Sequence, residues 1–302
     1  MVSRAAALGV TAAFAAAGFF GNLHIVLCLI LSRSREGREG VTRAINLAVG
    51  AVSALHACTC VAALFFFFCM TAPCRNPAAF AASTYMVFSF VLSSICVMSL
   101  LFLLYRAGIV PVRSALLARA RQRFLGATPW LVAGCLLLCF SMSAPYIKYN
   151  HCSGNSTADA PGRHLFYNPS GSYFVIYMAF WMGLLVAAPF TVMVFSSVSV
   201  LLHLRRHMQR LRGDSCGIAS PRLDREQRAA RLLFHQLLLY SLLIMLCAIS
   251  MLLEVADVTS QLQDWYGAIP CLYCANTSAN LILRNGRLRT MTALLLRKLH
   301  KG

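Results

Sequence analysis

Acidic residues are scarce: only nine of the 302 residues are Asp or Glu. Charged residues of both signs make up 12%, about half the share found in a soluble globular domain. A cytosolic enzyme, a disordered regulator and a secreted disulfide scaffold are all excluded by that shortage. The sequence also lacks any gap between apolar runs long enough for a soluble domain, and it shows no internal repeat of the kind seen in many transporters. No small-residue cleavage site follows the first apolar run, which reads as a signal anchor. What fills the chain instead is apolar side chains, 59% of it, with 13 Cys mostly inside those runs, where a thiol behaves as a small hydrophobe.

A bilayer-crossing helix needs about 20 mostly apolar residues. Seven stretches qualify, over approximately 5–31, 44–69, 79–105, 125–147, 172–203, 232–254 and 266–283. The expected fold is an all-α membrane protein, a seven-transmembrane-helix bundle. It forms a single domain over 1–302 that ends in a short basic cytoplasmic tail, 285–302. Net charge is +18, and its placement is informative. Of the 27 Lys and Arg, all but Arg4, Arg75, Lys148 and Arg163 fall in the loops after spans one, three and five or in the tail. By the positive-inside rule the N-terminus is outside and the C-terminus inside. The basic charge therefore reads as topology, and no nucleic-acid partner is expected. The longest outer loop carries Asn155-Ser156-Thr157, an acceptor for glycosylation.

Seven helices leave a receptor, a transporter or channel, and an intramembrane enzyme. Ion pathways need ionisable groups at membrane depth, yet spans one to five contain no Asp or Glu and Glu254 sits near an end of span six. His203 and His207 are four apart, but the run between them is Leu-Arg-Arg and lacks the Glu of a zinc protease. Cys271 and Cys274 form a lone pair with no second pair or histidine. No metal or cofactor is expected, and an enzyme is not. A receptor remains, of an atypical group: span three ends Leu104-Tyr105-Arg106-Ala107, span six has no Cys-Trp-x-Pro, and span seven has no Asn-Pro-x-x-Tyr.

Several runs resemble the type 2 (bitter) taste receptors. The most specific is Ser278-Ala279-Asn280-Leu281-Ile282-Leu283-Arg284-Asn285-Gly286-Arg287-Leu288-Arg289, similar to that family's His-Ser-x-x-Leu-Ile-Leu-x-Asn-x-Lys-Leu-Lys, with Thr277 in place of the His. Pro189-Phe190 and Leu201 to His207 resemble its span five. Ala229-Ala230-Arg231 through Tyr240 resembles its span six, with His235-Gln236 where Ser-Phe is usual. Gly21-Asn22, Arg119-x-Arg121 and Pro129-Trp130-Leu131 fit as well. The departures are Ala51 where span two of the family carries a buried Arg, Ser93 where an outer Trp is typical, and Leu243 near a common Tyr. The resemblance implies a multi-pass plasma-membrane receptor for a small bitter-type ligand, coupled to a heterotrimeric G protein of the gustducin or inhibitory type. The vomeronasal type 1 receptors are the nearest alternative, and a transporter or channel a more remote one.

A ligand pocket between helices should be apolar with a few placed polar groups. Phe88, Leu92 and Ser93 face inward near the outer end of span three. Tyr173, Tyr177 and Trp181 form an i, i+4, i+8 stripe on span five, either lining the pocket or anchoring at the interface. Glu254 is placed either to pair with a ligand amine or to cap a helix end. Asn22, Asn46, Ser278 and Asn285 are expected to bond across helices, since an unpaired amide in hydrocarbon costs several kcal/mol. With the kink at Pro189 and with Tyr240 they make a switch or a static bracket. His56 reads as a hydrogen-bonded interior residue. On the inner face Arg119, Arg121, His207 and Arg231 are placed at the G-protein contact. The other arginines meet lipid headgroups, as does the amphipathic Leu294–Leu299 stretch. The positions of Cys74 and Cys152 resemble the general receptor disulfide, which bitter receptors usually lack; both face the oxidising side.

Overall fold

A computed structural model describes residues 4–32, 40–70, 77–111, 114–144, 180, 183–213, 221–255, 268–284, 288–290 and 292–293. All regular structure among these residues is helical. In chain order the helices are α1 (Arg4–Ser32), α2 (Gly40–Met70), α3 (Pro77–Ile109), α4 (Ala115–Ser143), a π-helical turn Gly183–Ala187 running into α5 (Ala188–Gly213), α6 (Pro221–Val255) and α7 (Ala268–Arg284). Six are long and apolar enough to cross a membrane, and α7 carries a shorter apolar stretch, Ala268–Leu283.

The helices outrun the apolar stretches at their basic ends. α4 starts at Ala115 and α6 at Pro221, about ten residues before the expected 125 and 232, while α5 continues to Gly213. Hydropathy marks the part of a helix that lies in hydrocarbon. Arg is a good helix former, so the coil continues through Arg119, Arg121 and Arg123 into the polar region.

α2 and α3 lie at the centre and are the most enclosed, with Val52, Cys60, Val97, Met98, Phe102 and Leu104 almost fully buried. α4 is peripheral, with Trp130, Leu137 and Leu116 exposed, as suits a helix facing lipid. α1 packs along α2 and α7. Two glycines make the α1–α7 approach so close: a Cβ on Gly18 would stand 2.8 Å from Cys60 Sγ and 3.2 Å from the Ala275 nitrogen, and one on Gly21 2.5 Å from Ser278 Oγ. Small residues at such a contact let backbones approach where apolar burial alone gives no drive, since lipid is equally apolar.

Most hydroxyls are spent within their own helix. Thr59, Thr84, Ser143, Ser199 and Ser241 donate to the carbonyl four residues back, and Ser83, Ser94 and Ser99 to that three back. That back-bonding satisfies the group without a neighbour.

Candidate polar core of the bundle

Against that background the few polar contacts between helices stand out. On α1, Asn22 is fully buried; its Nδ2 donates to the Gly18 carbonyl at 2.7 Å and to the Cys274 carbonyl of α7 at 3.2 Å. Between α6 and α7, Gln236 Nε2 donates to Thr277 Oγ1 at 2.9 Å and Asn280 Nδ2 donates to Gln236 Oε1 at 3.1 Å. Thr277 and Asn280 are three apart and therefore share a face of α7, so one glutamine spans both. All three are buried.

Between α5 and α6, Tyr240 is fully enclosed; its hydroxyl donates to the Val186 carbonyl at 3.5 Å, and its ring meets Phe190 at 5.9 Å. Val186 lies in the π turn immediately before Pro189. Proline has no N–H, so the coil loosens there, and π turns of this kind recur at functional sites. The expected irregularity at Pro189 is thus present as a widened turn. At the basic end of α3, the Arg106 guanidinium stacks on Phe195 of α5 at 4.6 Å from the ring centroid, within cation–π range. His24 of α1 bonds Thr292 Oγ1 at 2.7 Å, tying the residues beyond α7 back to the bundle.

His56 departs from expectation. It is fully buried on α2, yet neither ring nitrogen has a hydrogen-bond partner among the described residues. Its ring meets that of Tyr273 on α7 edge-on, with centroids 5.4 Å apart.

The anticipated ligand residues are brought only partly together. Phe88 and Leu92 pack with Cys96 against Cys139 and Met142 of α4 and Val186 of the π turn. Ser93, fully buried, lies on the same seam with its hydroxyl against the Cys139 thiol. All three therefore lie where α3 meets α4, with Val186 of the π turn packed against the same cluster. Tyr173, Tyr177 and Trp181 lie outside the described residues, as does the side chain of Glu254, whose backbone belongs to α6. Among the polar bracket residues, Asn22 bonds across helices as expected. Ser278 does not: its hydroxyl donates to Ala275 within α7 at 2.8 Å, because Gly21 brings α1 close on that side and leaves no room for a partner. Asn46 is half-buried on α2, and Asn285 lies outside the described residues. At the basic end Arg119 and Arg231 are exposed and Arg121 half-buried. His207 lies in α5 with its side chain outside the described part. Asn155, Cys74, Cys152 and the stretch 294–302 also lie outside it. Among the described residues no group of three His, Cys, Asp or Glu could hold a metal ion.

Gln236, Tyr273 and His24 are the functional candidates that sequence reading passed over. For Gln236 the signal existed: it and Thr277 both stand where the resembled family has other residues, and the two turn out to be bonded to each other.

The taste receptor protein family (TAS2R) matches residues 3–300, nearly the whole chain. The chain belongs to that family. A curated relative, taste receptor type 2 member 41 of Gorilla gorilla gorilla, is 26% identical over 185 residues. That match covers 57% of this chain and 56% of the relative, so it spans just over half the length of each. As a member of that family, a family of receptors, the chain is a multi-pass plasma-membrane protein. In this taste receptor the two departures, Gln236 and Thr277, fall on the α6–α7 contact, and the loss of a basic group at Ala51 falls on α2 about one and a half turns from His56.

Proposed function

We propose that this taste receptor binds a small, mostly apolar organic molecule in the half of the bundle away from its basic ends. In this reading it activates a heterotrimeric G protein of the gustducin or inhibitory type at the basic ends. The observation that carries the reading is the uneven placing of polar ties. Among the described residues, Gln236 ties α6 to α7 and Tyr240 ties it to the π turn before α5. A ligand acts only by binding one packing better than another. An element held by two or three hydrogen bonds, each worth about 1 kcal/mol, has alternatives that a ligand of micromolar affinity, about 8 kcal/mol, can select.

Phe88, Leu92 and Ser93 with Tyr177, Trp181 and Glu254 are the residues we assign to the ligand, and Arg119, Arg121, His207 and Arg231 to the G protein. The test is calcium release in cells expressing the chain with a gustducin-like chimeric G protein, screened against bitter compounds. A response lost in Trp181→Ala or Glu254→Ala supports the class and the pocket. Silence across the screen with the protein at the surface, or an ion current without G protein, would sink the reading.

The N-terminus is placed outside. Asn155→Gln is then expected to lower the apparent mass on a gel by about one glycan and to make the band insensitive to glycosidase. An unchanged, glycosidase-insensitive band for both forms would remove the assignment of Asn155 as a glycan site.

A further inference from the structure

Burying a polar group without a hydrogen bond is costly, and more so where no water reaches. Most hydroxyls of this bundle avoid the penalty by bonding their own helix. At one place several groups fail to do so together. Both nitrogens of His56, the hydroxyl of Tyr273 and the hydroxyl of Ser53 are buried with no hydrogen-bond partner among the described residues. Ser53 and His56 are three apart on α2 and so share a face, and the His56 and Tyr273 rings touch edge to face across the α2–α7 contact. The Tyr273 hydroxyl interacts with the Gln236 and Thr277 side chains only beyond ordinary hydrogen-bond geometry, and those two are already bonded to each other. These groups therefore lie together at the α2–α7 contact, adjoining the α6–α7 tie, apart from the unbonded hydroxyls of α1, α3 and α5.

The patch has a definite chemistry. A neutral imidazole offers one donor and one acceptor, and a phenol or alcohol hydroxyl offers both. No Lys, Arg, Asp or Glu occurs in residues 44–69 of α2, 79–105 of α3 or 268–283 of α7. A charged group entering here would find no counter-charge, and its burial would go uncompensated. An apolar group would leave every one of these donors and acceptors unmet. Only an uncharged group that both donates and accepts answers them.

We propose that His56 and Tyr273, with Ser53 beside them, form a buried subsite for the uncharged hydrogen-bonding end of a small organic ligand, a phenolic hydroxyl or a primary amide. The proposal deepens the receptor reading above by naming the ligand class, and it adds a place, on α2 and α7, that the α3–α5 residues do not include. Occupancy bonds Tyr273, the neighbour of Gln236, and so reaches the tie that holds α6.

The experiment uses the full chain in lipid nanodiscs, with phenol and its methyl ether anisole as matched probes at equal millimolar concentration. Thermal unfolding is followed for the parent chain, Tyr273→Phe and His56→Leu. Phenol is expected to raise the midpoint by about 3 °C more than anisole, the size given by a ligand at roughly ten times its Kd. That difference should vanish in Tyr273→Phe, which keeps the ring contact and removes only the hydroxyl, and in His56→Leu if that variant folds. Equal shifts from phenol and anisole would overturn the subsite and leave the patch to an ordered water. A phenol-specific shift that survives Tyr273→Phe would overturn it as well. A phenol-specific shift that behaves as expected, in a chain that never signals through a G protein, would leave the subsite standing and remove the receptor reading instead.

Discussion

Gly18→Leu is expected to cut the amount of folded protein at the cell surface at least tenfold, measured by surface immunoassay alongside detergent-extracted monomer on a sizing column. The cause is steric. A bare Cβ at this position already lies 2.8 Å from the Cys60 thiol, 3.2 Å from the Ala275 backbone nitrogen and 3.4 Å from Cys274 Cβ. The thiol can rotate away, but the α7 backbone cannot, so α1 has to move. Overpacking of that kind costs about 1–3 kcal/mol and occasionally more, and 1.4 kcal/mol is already a factor of ten in an equilibrium. Separating α1 from α7 also lengthens the 3.2 Å bond from Asn22 to the Cys274 carbonyl, which leaves part of a buried amide unpaired. Gly134→Leu is the control: nothing lies within 4 Å of a Cβ there, and on the exposed flank of α4 the added side chain meets lipid. Parent-like surface levels are expected for it. Equal losses from both substitutions would mean that added bulk, and not the α1–α7 approach, is what the fold resists.

Gln236→Leu is the second large effect, and it should show in two readouts. The substitution keeps the volume roughly constant and removes both hydrogen bonds of the α6–α7 tie, leaving the Asn280 amide buried without its acceptor. Hydrogen bonds between membrane helices average about 0.6 kcal/mol in measured cycles, while an orphaned buried polar group adds about 1–3 kcal/mol. The sum is about 2–4 kcal/mol. The unfolding midpoint is expected to fall by several degrees. Because α6 is the helix released, basal G-protein signalling should rise several-fold with no ligand added. Thr277→Val made in both backgrounds completes the cycle: it should be costly in the parent chain and nearly silent beside Gln236→Leu. Additive losses would show that the two side chains do not share an interaction energy.

How much of this was legible in the sequence differs by level. The seven spans and their order could be read because an apolar run of about 20 residues is a local property, and the chain's 59% hydrophobic content left little ambiguity. Helix ends could not be read that way. Arg119 and Arg121 look like loop residues by charge but continue α4, because helix formation and hydrocarbon immersion are separate requirements. The polar residues illustrate the limit more sharply. Asn22 was identifiable as an interhelical group, since an amide has more donors and acceptors than one carbonyl of its own helix can meet. Ser278 was not distinguishable from it by sequence, although a serine hydroxyl can turn back to its own carbonyl and does so here. The inward placement of Phe88, Leu92 and Ser93 followed helical spacing. Spacing alone does not tell a central cleft from the seam with Cys139 and Met142 where they lie. His56 needed three dimensions, because its lack of a partner is a property of every helix around it.

The self-bonded hydroxyls bear on how the protein is made. A helix whose Ser and Thr side chains already point at their own carbonyls can leave the translocation machinery and wait in lipid alone. Asn22 on α1 and Gln236 on α6 are different, for each also bonds to groups on α7: the Cys274 carbonyl for one, Thr277 and Asn280 for the other. The first helix synthesised and the sixth therefore both await the seventh. Until it is seated, neither amide makes its bonds to α7, and α1 has only its packing on α2. α7 is also the shortest of the seven as described, a 17-residue helix carrying the Asn and Thr side chains that its neighbours bond. Assembly of this receptor thus converges on α7, the helix on which the amides of α1 and α6 both find a partner.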